Sequence, residues 1–226
     1  MHGACPGPRV SGNRNGRRAG SAAQGGFRRE IQVSVYVALL HYPVYNRRGQ
    51  VVCSAVTNLD IHDIARAGRT YGVRGFYVVT PLEDQQRLVG RLLSHWREGY
   101  GGRANPDRKE ALELVTVVAS LPEAVARITV DVGREPELLG TGARAARPIL
   151  SYRQARERIH EGRPTVILFG TGWGLTSEVL DLATYVLPPV RGASSYNHLS
   201  VRGAAAVILD RLLGLRDETH DDRLDI

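Results

Sequence analysis

Residues 166–175 read Val166-Ile167-Leu168-Phe169-Gly170-Thr171-Gly172-Trp173-Gly174-Leu175. A short apolar run that breaks straight into glycine is the signal of a buried strand ending in a tight loop. In parallel sheets, ligands bind just beyond the carboxyl ends of such strands. Two further segments repeat the junction. One is Leu138-Leu139-Gly140-Thr141-Gly142-Ala143-Arg144; the other is Val186-Leu187-Pro188-Pro189-Val190-Arg191-Gly192, continuing through Tyr196-Asn197-His198-Leu199-Ser200-Val201. The pattern Gly170-x-Gly172-x-Gly174 departs from the G-x-G-x-x-G of dinucleotide-binding turns and lies deep in the chain, which counts against nicotinamide chemistry. Taken on glycine content alone, a turn that needs positive φ and a loop that approaches a ligand stay equally open.

Working outward, short β-branched runs alternate with segments of helical period. The strands expected are 33–40, 75–80, 114–118, 165–169 and 184–187, and the helices 61–71, 83–97, 122–130, 152–160, 176–182 and 198–213. This alternation predicts an α/β fold with a mostly parallel sheet flanked by helices. Leu59-Asp60 before Ile61 and Gly72 after Tyr71 supply cap chemistry for the first helix. Within 83–97, Leu88, Leu92, Leu93 and Trp96 form a stripe for covering the sheet. The glycine-rich segment 99–107 is expected to be a flexible loop, either a substrate lid or a plain connector. The last helix carries Val201, Ala204, Ala205, Val207, Ile208, Leu209, Leu212 and Leu213 and must be buried on more than one face.

Of 226 residues, 42% are hydrophobic and 23% charged, the balance of a soluble globular protein, which excludes disorder throughout. Cys5 and Cys53 are the only cysteines, so a disulfide framework and a cysteine zinc cluster are both excluded. A reducing, cytoplasmic setting is expected. The longest apolar runs, 115–119 and 204–209, fall far short of the roughly 18 residues that span a bilayer, so no membrane partner is expected. Dispersed histidines predict no metal site.

The sequence pI of 9.8 is deceptive. Arg9, Arg14, Arg17, Arg18, Arg28 and Arg29 sit in the first 29 residues without one acid, leaving 24 basic and 23 acidic residues elsewhere. The expected organisation is a disordered Gly/Arg-rich tail at 1–29, one domain at 30–215 and an acidic tail at 216–226.

In order and spacing, the three strand-to-loop segments resemble the SPOUT class of S-adenosylmethionine (SAM)-dependent RNA methyltransferases. The strings Leu168-Phe169-Gly170-Thr171-Gly172-Trp173-Gly174-Leu175 and Tyr196-Asn197-His198-Leu199-Ser200-Val201-Arg202 are similar to a bacterial family of that class. So are His41-Tyr42-Pro43-Val44-Tyr45-Asn46 and the stretch from Thr57 to Arg66. The likeness runs over about 32–215. It implies a C-terminal deep trefoil knot, a homodimer, SAM as cofactor and RNA (tRNA or rRNA) as substrate, methylated on base or ribose.

By matching motif positions, it implies cofactor contacts at Thr141, Gly170, Thr171, Gly172, Leu187, Gly192, Tyr196, Asn197 and Leu199. Methyl transfer needs orientation above all, but a ribose hydroxyl or a ring N–H must also lose its proton. Arg66, Arg144, His198 and Arg202 are the catalytic candidates. His198 stands where the ribose-methylating branch usually has Asn, and Asp60 and Asp63 where it has asparagines. An ordinary pairing of Arg66 with Asp60 or Asp63 on one helix face remains equally open, as does a backbone-bonding role for His198. A SAM-sensing RNA-binding module without transferase activity is the alternative function.

Overall fold

The computed structural model describes residues 34–143 and 149–215; both expected tails lie outside them. The central strand β1 (Val35–Leu40) is buried at all six positions. Its sequence VYVALL is apolar on both alternations, as a strand covered on two faces requires. Val35, Val37 and Leu39 point into one core and Tyr36, Ala38 and Leu40 into another.

Around β1 the chain lays down β2 (Val44–Tyr45), β3 (Val51–Val52), α1 (Asn58–Thr70), β4 (Gly75–Val79), α2 (Glu83–Arg97), α3 (Tyr100–Ala104), α4 (Pro106–Leu112), β5 (Val115–Val118) and α5 (Leu121–Val132). The second half adds β6 (Glu137–Gly140), α6 (Tyr152–His160), β7 (Thr165–Gly170), α7 (Ser177–Asp181), β8 (Tyr185–Val186) and α8 (Val201–Leu213). Six strands form a parallel sheet in the order β5-β4-β1-β7-β6-β8, and β2 pairs antiparallel with β3 in a separate hairpin. β1 runs in register with β4 from Tyr36↔Gly75 and with β7 from Val35↔Thr165. One core joins Ile61, Val89, Ala155 and Leu209 from α1, α2, α6 and α8; the other joins Leu121, Ala124 and Ile128 from α5 and Val179 from α7. The α/β architecture with helices on both faces stands as expected.

Local chemistry sets the helix ends. Thr57 accepts from the Asp60 N–H and starts α1 three residues before the expected Ile61, so Asp60 sits inside the first turn rather than at the cap. Ser151 and Gln154 close a reciprocal capping box on α6. On α2 the buried side chains are Val89 and Leu93, with Leu92 and Trp96 packed beside them, while Leu88 faces outward. The stripe is therefore turned by one position from the expected one.

The segment 99–107 is not a loop. It is α3 and the start of α4, because Asn105 caps the Arg108 N–H and Pro106 occupies the first turn of α4. α8 starts at Val201, after a Ser200 cap, instead of at 198. Among its residues only Ala206 is exposed, so burial over more than one face is observed. Among the described residues, no helix is long and apolar enough to cross a membrane.

Candidate functional site

The loops after β6, β7 and β8 emerge side by side, because those strands are neighbours at one end of the sheet. Hydrogen bonds tie each to the next. Thr141, nearly buried, donates its hydroxyl to the Leu168 carbonyl at 2.8 Å. The Leu187 N–H donates to the Gly140 carbonyl at 2.9 Å, and the Asn197 amide donates to the Ala143 carbonyl at 3.2 Å. Leu187 is buried, whereas Tyr196, Leu199 and Gly192 are open to solvent.

The glycine loop after β7 is held from the other side. The Thr171 N–H and hydroxyl both donate to the Leu40 carbonyl, at 3.2 and 3.1 Å, and the Ser54 hydroxyl donates to the Thr171 oxygen. Gly172 has φ +59°, and a Cβ there would meet the Tyr45 carbonyl at 2.8 Å. At Gly170 a Cβ would come within 2.6 Å of the Leu175 nitrogen. Backbone approach thus demands both glycines, from within the loop at Gly170 and from β2 at Gly172, which favours the tight-turn side of the two sequence alternatives.

Of the catalytic candidates, Arg202 is engaged. Its Nη1 lies 3.4 Å from Asp60 Oδ1 and its Nε 3.3 Å from Asp63 Oδ2. This pairing fastens the first turn of α8 to α1. The same two carboxylates are not paired with Arg66, which is exposed on α1 and forms no ion pair with a described carboxylate. His198 is exposed and stands between two aromatic rings, Trp173 at 6.4 Å and Tyr196 at 5.4 Å between centroids. Arg144 lies outside the described residues.

With this geometry in place, comparison with known proteins decides the family. A model of a SAM-dependent RNA methyltransferase family matches residues 34–214. The chain belongs to that family.

Two relatives of this RNA methyltransferase family member are named tRNA (guanine-N(1)-)-methyltransferase. The protein of Oleidesulfovibrio alaskensis is 46% identical over 181 residues, which are 80% of this chain and 42% of that protein. The protein of Nitratidesulfovibrio vulgaris is 48% identical with the same coverage. The chain therefore spans about two-fifths of their length. An uncharacterized protein of Aquifex aeolicus is 39% identical over 183 residues and is covered for 89% of its length. Among solved structures, TrmJ from Z. mobilis shares the fold at TM-score 0.52 and 20% identity, covering 81% of this chain and 70% of that one. A protein from Bordetella pertussis described as a probable methyltransferase does so at TM-score 0.54 and 18% identity, covering 80% and 95%.

The loops of this methyltransferase-family chain fit a cofactor read by backbone groups. From Val190 to Leu199, no backbone N–H donates to a described backbone carbonyl, although the Tyr196 N–H donates to the Ser194 hydroxyl at 3.3 Å. Two features of the same edge carry no obvious sequence signal. Trp173 is 56% and Tyr196 73% exposed. His41, at the end of β1, is fully buried with neither ring nitrogen hydrogen-bonded. Burial pushes its pKa down to about 4 against the opposing pull of the Asp60 charge. A lone histidine in a string does not reveal burial. Among the described residues, no group of three or more His, Cys, Asp or Glu is placed to hold a metal ion.

Proposed function

We propose that this chain transfers a methyl group from SAM to RNA, tRNA or rRNA, at the carboxyl edge of β6, β7 and β8. The observation that carries the reading is the set of three adjacent loops sewn together through Thr141, Leu187 and Asn197. In this reading Thr141, Gly170, Thr171, Gly172, Leu187, Gly192, Tyr196, Asn197 and Leu199 hold SAM, largely through main-chain groups. Bound SAM supplies a methyl carbon on a positively charged sulfur. The protein's own residues orient the nucleophile, exclude water and accept its proton.

His198 is the proton acceptor and Arg66, with no carboxylate of its own, steadies the RNA near the reacting atom. Arg202 is a positioning residue, since Asp60 and Asp63 already hold it. Arg144 is proposed as a further cation at the mouth of the first loop. The named activity of the longer relatives belongs to proteins of which this chain spans 42%, so guanine N1 is not assigned as the target.

The trefoil knot is part of the proposal. Its support is the path of the chain: β8 stands at the sheet edge, α8 returns to α1 and α6, and Asn197 is tied to Ala143 on the way. The homodimer is proposed on the exposed apolar side chains Ile149 and Leu199, which a second copy would cover.

Thermal unfolding with S-adenosylhomocysteine, using NADH as control, tests the cofactor assignment. Ligand at about 100 times its Kd should add about 2.7 kcal/mol. Incorporation of labelled methyl from SAM into bulk tRNA or rRNA should follow. Binding without incorporation would leave a SAM-sensing RNA-binding module, and the absence of both binding and incorporation would overturn the assignment.

A further inference from the structure

The hairpin of β2 and β3 is absorbed by nothing above. Its turn is fully braced. The Asn46 N–H donates to the Gln50 carbonyl at 2.9 Å and the Gly49 N–H to the Asn46 carbonyl at 3.0 Å. The Asn46 side-chain oxygen accepts from the N–H groups of Arg48 and Gln50, at 2.8 and 3.0 Å. At the tip, Arg47 and Arg48 are exposed and have no ion pair with a described carboxylate.

The outer edge of β2 is bonded to the candidate cofactor loop. The Tyr45 N–H donates to the Gly174 carbonyl at 3.0 Å, the Trp173 N–H donates to the Tyr45 carbonyl at 2.8 Å, and Val44 bridges Leu175. The Tyr45 hydroxyl also accepts from the Ser177 N–H at 3.2 Å. Arg47 lies two residues beyond Tyr45, roughly 7 Å along the strand direction. A rigid arm thus carries two guanidinium groups to the side of the loop that presents Trp173, next to His198 and Tyr196.

The charge pattern says what this face receives. Residues 31–59, 138–156, 162–177 and 182–209 contain no Asp or Glu, although acids and bases nearly balance over the chain beyond residue 29. The acids that border this face are Asp60 and Asp63, both paired with Arg202, and Glu178 after Ser177. Exposed aromatic rings stack on unpaired bases, and arginines neutralise phosphates. A second copy of the chain packed on the hairpin tip itself about a two-fold axis would set Arg47 and Arg48 against like cations. We infer that the β2–β3 hairpin is a phosphate-binding arm that, with Trp173, Tyr196 and His198 as stacking surfaces, seats a single-stranded or looped RNA segment beside the methyl-transfer site.

The inference rests on the proposed RNA methyltransferase reading, and binding measurements separate the two. The probe is a fluorescein-labelled 20-nucleotide single-stranded RNA, titrated at several salt concentrations, with a duplex of equal length beside it. Arg47→Glu/Arg48→Glu should weaken single-strand binding at least tenfold. Arg47→Ala/Arg48→Ala should flatten the dependence of log K on log salt by about 1.4, two phosphate contacts at about 0.7 each. Trp173→Ala should weaken binding while leaving that slope alone. Arg134→Glu, a single charge reversal at the opposite edge beside Gly162, should leave both intact. Binding of S-adenosylhomocysteine and thermal stability should hold in the hairpin variants.

Wild-type affinity and slope in the hairpin variants would overturn the inference while the methyltransferase reading stands. So would tighter binding of the duplex, or a change of oligomeric state by sedimentation with RNA affinity unchanged. Absence of RNA binding and of methyl incorporation by the wild-type protein would remove that reading, and the inference with it.

Discussion

At the amino edge of the sheet carboxylates and arginines come in pairs, whereas at the carboxyl edge Arg202 is paired, with Asp60 and Asp63, and Arg47, Arg48 and Arg66 form no ion pair with a described carboxylate. Asp131 pairs with Arg74 at 3.0 Å and takes a hydrogen bond from the Tyr36 hydroxyl; Glu137, at the start of β6, holds Arg158 and Arg163. The Arg158 hydrogen bond holds the Glu137 carboxyl below the ordinary glutamate range. Across the sheet, Arg47, Arg48 and Arg66 are exposed, two aromatic rings stand in solvent and a histidine is buried without a partner. The amino edge uses its charges to close the fold, and the carboxyl edge, apart from the Arg202 pair, holds cations free for something that arrives from outside.

The largest test of this contrast is acid. His41 is neutral in the folded chain with a pKa near 4, while in the unfolded chain it takes a proton below about 6.5. Stability is therefore full above pH 6.5 and falls as pH drops towards 4, by about 3 kcal/mol in all and about 2 kcal/mol by pH 5. His41→Leu should be close to neutral at pH 7, because no hydrogen bond is lost, and should remove this slope. Urea unfolding of both proteins across pH 7 to 4.5 checks it; parallel curves would mean that the carboxyl edge has no such acid sensitivity.

Next in size is Glu137→Gln, which leaves two guanidinium groups without their carboxylate. The expected loss is about 2 kcal/mol at pH 7, with the stabilisation by S-adenosylhomocysteine unchanged. The sign with pH is distinct from that of His41. A carboxyl with a depressed pKa contributes above its unfolded value, and the contribution fades only below the ordinary glutamate range. Chemical denaturation at pH 7 and at pH 3.5 separates the two edges.

The smallest effect is expected at the carboxyl edge itself. Asn197→Ala removes one partly exposed hydrogen bond to Ala143 and should cost under about 1 kcal/mol, yet weaken S-adenosylhomocysteine several-fold. Calorimetric titration reads the second quantity. Equal losses in stability and in binding would blur the division between the edges.

How far the sequence discloses this architecture depends on how local each signal is. The bounds of α2 and α6 coincide with those expected, because capping and helical period act within a few residues. β1 and β7 are legible as continuous apolar runs. The β2–β3 hairpin escapes notice because two-residue strands show no alternation, and α3 with α4 escapes because glycines mask a helix built against Trp96. Within the site, the order of the three glycine and proline loops is readable. The hold of Arg202 on Asp60 and Asp63 is not, since its partners lie 142 residues away for Asp60 and nearly as far for Asp63. The burial of His41 is equally a product of tertiary packing.

The bond from Thr171 to the Leu40 carbonyl closes a gap of 131 residues. It joins the end of β1 to the end of β7, the two strands at the middle of the sheet. During synthesis, the first strand must therefore wait on one side until three-quarters of the chain has left the ribosome. Pairings so distant in sequence slow folding and leave apolar strand edges uncovered meanwhile. The hydroxyl that locks the glycine loop therefore has no partner to bond until both central strands have been made.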